Sequence, residues 1–133
     1  MELSAAQRER YERNLLVEGF TDRMQQALIA ARVAVVGAGG LGSAALNYLV
    51  AAGVGHLTLI ENDTVSLSNL QRQVLYTTAD MGRPKAEVAA MRLSRLNPGC
   101  DIRVVTDRLT AANAAGLLGG HDAVVDCTDN YDA

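Results

Sequence analysis

Three glycines constrain this chain more than anything else in it. Gly37, Gly39 and Gly42 follow the apolar run Val33-Ala34-Val35-Val36, and Glu61 closes a second apolar run nineteen residues after Gly42. A strand, a glycine turn, a helix and a second strand ending in an acid make the spacing of a dinucleotide-binding unit. Gly37 permits the tight turn from strand to helix, Gly39 lets the backbone approach a diphosphate, and Gly42 lets the helix pack closely on the strand. The helix N-terminus then presents free N–H groups to phosphate. The competing reading is a glycine turn kept for packing alone.

The rest of the chain repeats the alternation. Ser4 with Gln7 resembles a capping box, which predicts a helix running through Tyr11, Leu15 and Leu16 to Gly19. Thr21 or Asp22 caps a second helix bearing Met24, Leu28 and Ile29 on one side. The helix after the glycine turn presents Leu41, Ala45, Leu49 and Val50 and stops at Gly53. Leu57 to Glu61 is the second strand, followed by a polar loop, 62–73, with one short helical turn. Pro84 suits the first position of a helix carrying Val88, Met91 and Leu96 as far as Asn97-Pro98-Gly99. Ile102 to Val105 is a third strand, Thr110 caps a short helix ending at Gly119, and Ala123 to Asp126 is a fourth strand.

Alternating strands and helices predict an α/β fold, a Rossmann-like parallel sheet in the order 3-2-1-4 with flanking helices. An N-terminal helical segment, 1–31, precedes the nucleotide-binding domain, 32–133. That domain reads as half of a larger doubly wound one, because the fourth strand leaves an open edge bearing the core-like Val124 and Val125.

A net charge of −3 over 133 residues, with no basic face, argues against a duplex nucleic-acid binder. Gly53, Gly55 and His56 interrupt the apolar stretches before they reach the ~20 residues of a membrane span, and no signal-peptide pattern opens the chain. A cytoplasmic protein is the expectation. Cys100 and Cys127 form neither a metal pair nor a disulfide framework and read as small core residues. Eleven of the twelve basic residues are arginine, which singles out Lys85.

Three features lie outside a plain dinucleotide site. Arg72 stands in the polar loop among Asn69, Gln71 and Gln73, where a guanidinium can reach phosphate. Lys85 opens its helix, where a cation opposes the macrodipole unless an anion sits beside it. Asp126 and Asp129 flank the carboxyl end of the fourth strand, on the edge that carries the glycine turn, where an acid can hold magnesium together with phosphate oxygens. Each has a plainer reading: a solvated loop arginine, a surface lysine, and a helix cap at Asp129.

The strings GAGGLGS, LTLIENDTVSLSNLQRQ, MGRPKAE and DCTDN closely resemble the ubiquitin-activating-enzyme-like adenylyltransferases of the ThiF and MoeB type, over almost the whole chain. SNLQRQ after a strand and an acid is the most specific of them, and RERYERNLLVEGF resembles the family's opening segment. The resemblance implies ATP as the nucleotide. Gly40 belongs to the phosphate turn, Glu61 to the ribose hydroxyls, and Asp63 lies close by. Ser68, Asn69, Leu70, Gln71 and Arg72 form the phosphate loop, and Lys85 serves the same phosphates. Asp129 holds Mg2+, Asn130 lines the site, and Arg13 reaches the partner subunit's site across a homodimer. For Arg13 the plainer reading is a surface pair with Glu9.

The implied partner is a ubiquitin-like sulfur carrier ending in Gly-Gly, whose terminal carboxylate becomes an acyl-adenylate. Structural Zn2+, held by two CxxC pairs, is implied only for the family's second half, beyond Ala133. Glu61 in place of aspartate and Asn14 in place of glutamine depart from the usual pattern. Two other readings remain: an NAD(P)-binding oxidoreductase, which leaves Arg72 and Lys85 without a task, and a catalytically incomplete nucleotide-binding subunit.

Overall fold

The structure, a computed structural model, describes residues 2–129. Four strands, β1 (Arg32–Val36), β2 (His56–Ile60), β3 (Asp101–Val105) and β4 (Ala123–Asp126), form one sheet in the order β3-β2-β1-β4. Every pairing is parallel, with Val35 opposite both Leu59 and Val125. The expected Rossmann-like topology is therefore the observed one.

The two sheet faces are covered unequally. Val33, Val35, Leu57 and Leu59 face α4 (Gly40–Ala52) and α5 (Lys85–Leu96), which add Leu46, Val50, Val88, Ala89 and Leu93 to the main core. On the other face, among the described residues, Val36, Ile60 and Val105 are packed by Leu109 and by Leu117 and Leu118 of the short α6 (Ala114–Leu118). Val124 on β4 stays 46% exposed.

Several local expectations shift. The opening helix breaks at Tyr11 into α1 (Ala5–Arg10) and α2 (Glu12–Leu15), because the buried Tyr11 hydroxyl accepts a hydrogen bond from Asn97 Nδ2 at 2.9 Å. In α3 (Asp22–Ala30) the buried residue is Gln25, whereas Met24 is exposed; Gln25 Nε2 satisfies the Ala52 carbonyl at the end of α4. Leu41 and Leu96 are exposed, and Leu46 and Leu93 take the core positions of their helices. Pro84 precedes α5 as its N-cap, and α6 starts after Asn113, with Thr110 one turn upstream.

Helices α4 and α5 run the same way. Both begin at the carboxyl edge of the sheet and end where α1–α3 dock: Asn14 Nδ2 donates to Ala52 O at 3.0 Å, and Arg10 Nη1 to Leu96 O at 3.1 Å. No described helix is long and apolar enough to cross a membrane.

Candidate active site

A cleft of about 630 Å³ opens at the carboxyl ends of β1, β2 and β4, where the strand order reverses. Its floor is the glycine turn. Gly37 has φ +97°, and a Cβ there would lie 2.8 Å from the Cys127 carbonyl oxygen; a Cβ on Gly42 would lie 2.1 Å from Gly37 O. Both positions are closed to any side chain by backbone. At Gly39 and Gly40 the nearest atoms belong instead to the side chains of Gln73 and Arg72.

The peptide at Ala38 is held from both sides. Glu61 Oε1 accepts from Ala38 N at 3.0 Å, and Tyr76 Oη donates to Ala38 O at 2.6 Å. Burial, then the charges of Glu61 and Asp63, raise the Tyr76 phenol above its usual value, so it stays a donor. Glu61 Oε2 also accepts from the N–H groups of Asn62 and Asp63 at 3.0 and 3.3 Å. A carboxylate offers about four acceptor sites, so this acid already braces the turn and the loop.

Lys85 enters the cleft through backbone pairing. Thr64 and Pro84 form an antiparallel bridge, Lys85 N donates to Asp63 O at 3.0 Å, and Val65 N to Arg83 O at 2.9 Å. This seam carries the first residue of α5 to the end of β2. The Lys85 side chain is 5% exposed, with Nζ 3.3 Å from Asp63 Oδ2.

Arg72 is exposed and donates to Ser68 O at 3.1 Å, beside Gly40. Asp129 lines the cleft, whereas Asp126 does not: it accepts from Thr128 Oγ1 and N, which lowers its pKa. Cys127 lines the cleft as a free, buried thiol whose pKa burial raises.

The cleft thus gathers Gly37, Gly39, Gly40, Glu61, Asp63, Arg72, Lys85 and Asp129 from the expected set. Ser68, Asn69, Leu70 and Gln71 sit on the rim loop without lining it; Asn69 Oδ1 caps Ser66 N at 3.1 Å. Asn130 lies outside the described residues. Arg13 is exposed on α2, at the far end of α4 from the cleft. Sequence reasoning passed over Asp107, Arg108 and Leu109, which line the opposite wall. Their position just past the end of β3 was the available signal, since ligands in open α/β sheets bind beyond strand carboxyl ends.

The sequence model of the ThiF family matches residues 11–133. The chain belongs to the ThiF family. It is 51% identical over 129 residues to the molybdopterin-synthase adenylyltransferase of Escherichia coli K12, covering 97% of this chain and 52% of that protein. It is 50% identical over 123 residues to the sulfur carrier protein adenylyltransferase of Thermus thermophilus, covering 92% of this chain and 45% of the other. The structure of E. coli tRNA N6-threonylcarbamoyladenosine dehydratase in complex with ATP matches with a TM-score of 0.90 at 35% identity, over 98% of this chain and 53% of that one. This ThiF-family chain therefore spans about half the length of the curated relatives it matches.

Proposed function

We propose that this chain is the ATP-binding half of an adenylyltransferase that activates the C-terminal glycine carboxylate of a ubiquitin-like sulfur carrier. The observation that carries the proposal is the meeting of Arg72 and Lys85 with the glycine turn in one cleft. A nicotinamide site uses the turn and Glu61 but has no task for two phosphate-reaching cations. The curated relatives act on molybdopterin synthase and sulfur carriers, and one structural neighbour holds ATP.

The carrier carboxylate attacks the α-phosphorus, a new C–O–P linkage forms, and the P–O bond to pyrophosphate breaks. With a pKa of about 3.5, an α-carboxyl needs no general base at neutral pH. The work is electrostatic: Arg72 and Lys85 offset the charge of the approaching anions and of the departing pyrophosphate. Glu61 and Asp63 stand at the ribose end of the cleft. Asp129 lines the cleft and would be the carboxylate that holds Mg2+, an ion that takes one or two carboxylates together with phosphate oxygens. When bound, Mg2+ supplies further charge neutralisation at the phosphates.

A homodimer completes the site. The outer face of α4 leaves Leu41 66% and Tyr48 78% exposed, and this helix carries no charged residue to oppose a second copy. The segment 1–31 supplies the arm that brings Arg13 to the partner's cleft. We place the enzyme in the cytoplasm, in keeping with its two free cysteines.

The test is ATP–pyrophosphate exchange with carriers ending in Gly-Gly, on this chain and on a form extended to the relatives' length. Carrier-dependent exchange is expected; its absence from both removes the activity.

A further inference from the structure

The three arginines of the opening helices are used differently. Arg8 pairs with Asp22 at 2.5 Å, and Arg10 donates to the Leu96 carbonyl. Arg13 is exposed on α2 and, among the described residues, makes neither an ion pair nor a side-chain hydrogen bond, so the surface pair with Glu9 does not form. Two of these cations serve the fold, and the third is left over.

The next residue is the reverse. Asn14 Nδ2 donates to Gln25 Oε1 at 2.9 Å and to the Ala52 carbonyl at 3.0 Å, and Gln25 Nε2 donates to that same carbonyl at 3.0 Å. The triangle closes on the last residue of α4, one of the helix-end carbonyls that find no partner inside the helix. Gln25 is fully buried there, and a glycine lets it in: a Cβ on Gly53 would lie 2.4 Å from its Nε2.

Helix α2 has four residues and buries none of them. So short a helix is not held by its own hydrogen bonds, and an apolar contact would leave it free to rock about its axis. Tyr11, bonded to Asn97, fixes its N-cap, and the two directed bonds of Asn14 fix its other end. Successive helical residues are turned by about 100° from each other, so a helix pinned through Asn14 presents Arg13 in one set direction.

We propose that Asn14 is a positioning residue for Arg13: clamped with Gln25 on the tail of α4, it fixes the direction in which the guanidinium is offered to the partner's cleft. This assignment rests on the reading of Arg13 given above. An unpaired side chain lowers a barrier only if its origin is well placed, and a misplacement of about 1 Å can cost about 10²-fold in rate.

The experiment is a double-mutant cycle in ATP–pyrophosphate exchange, run on the form of the protein that supports exchange, with a thermal melt of each variant. Enzyme concentration is set high enough to resolve the residual rate of Arg13→Ala. Asn14→Leu keeps the size and removes both donations; it is expected to fold and to exchange about 10–10²-fold more slowly. Asn14→Gln, which keeps the donors, restores most of the rate. Arg13→Ala combined with Asn14→Leu is no slower than Arg13→Ala alone, because a clamp has no effect once the group it aims is gone. Asn14→Ser, which opens the two bonds to water, takes the place of Asn14→Leu in the cycle if that variant does not melt cooperatively. Wild-type exchange in the Asn14 variant overturns the assignment. Costs that multiply in the double variant also overturn it and leave Asn14 a structural residue, with Arg13 still in the chemistry. Wild-type exchange in Arg13→Ala removes Arg13 itself, and the role of Asn14 with it.

Discussion

Lys85 and Asp63 meet as a nearly covered cation and a mostly open anion: the lysine side chain is 5% exposed, the aspartate 67%, and 3.3 Å separates Nζ from Oδ2. The ammonium sits at the start of α5, where the helix macrodipole opposes it. A partner so exposed to water recovers little of the desolvation cost. Lys85 is thus better matched to an anion in the cleft than to the folded chain alone.

Lys85→Met is the corresponding test. Volume is kept and a poorly compensated charge removed, so the melting temperature should hold or rise, while ATP–pyrophosphate exchange falls by about 10²–10³-fold. Exchange at the wild-type rate would separate Lys85 from the chemistry.

The glycines divide by what surrounds them. Gly42→Ala would place Cβ 2.1 Å from Gly37 O, backbone that cannot move without opening the turn. We expect it to cost about 1–3 kcal/mol or more of stability, seen as a lower melting temperature. Gly116→Ala in α6 meets nothing within 4 Å and should stabilise the protein by about 0.4–1 kcal/mol. Equal melting shifts for the two would contradict the close approach of α4 to β1.

Much of this frame was legible in the sequence. Alternating strands and helices with one glycine turn leave few topologies, so strand order followed from the chain, and a turn that admits no Cβ must be written in glycine. What escaped was the pairing of distant polar groups. Tyr11 with Asn97, Gln25 with Ala52 and Tyr76 with Ala38 carry no local periodicity, and each fixes a backbone segment that propensity treats as free. Lys85 was conspicuous by its rarity, but its route into the cleft depends on the pairing of Thr64 with Pro84, which no spacing rule predicts.

Acid should release the loop between β2 and α5. Asp80, 2% exposed, accepts from Thr77 N at 2.7 Å, Thr77 Oγ1 at 3.0 Å and Arg92 Nη2 at 2.6 Å, with Arg83 beside it. Burial works to raise its pKa, but the Thr77 bonds and the two arginines prevail and hold it below the ordinary 3.8. The folded form therefore binds fewer protons than the unfolded one. The stabilisation is present above about pH 4 and lost as pH falls through the folded value. Asp80→Asn should flatten this acid limb in a pH series of melting temperatures and cost about 1–3 kcal/mol at neutral pH. An unchanged acid limb would assign the effect to other carboxylates.

The docking of the N-terminal segment at the tail of α4 separates Arg13 from the glycine turn of its own chain. The 13 residues of α4, Gly40–Ala52, span about 18 Å from first to last, too far for Arg13 to double back. If the arm serves a neighbour, genetic lesions become shareable. Arg13→Ala and Lys85→Met, each inactive alone, would on co-refolding give mixed dimers with one doubly damaged site and one intact site, restoring about a quarter of wild-type exchange. Were the arm to act within its own subunit, every site in the mixture would keep a lesion and no activity would return.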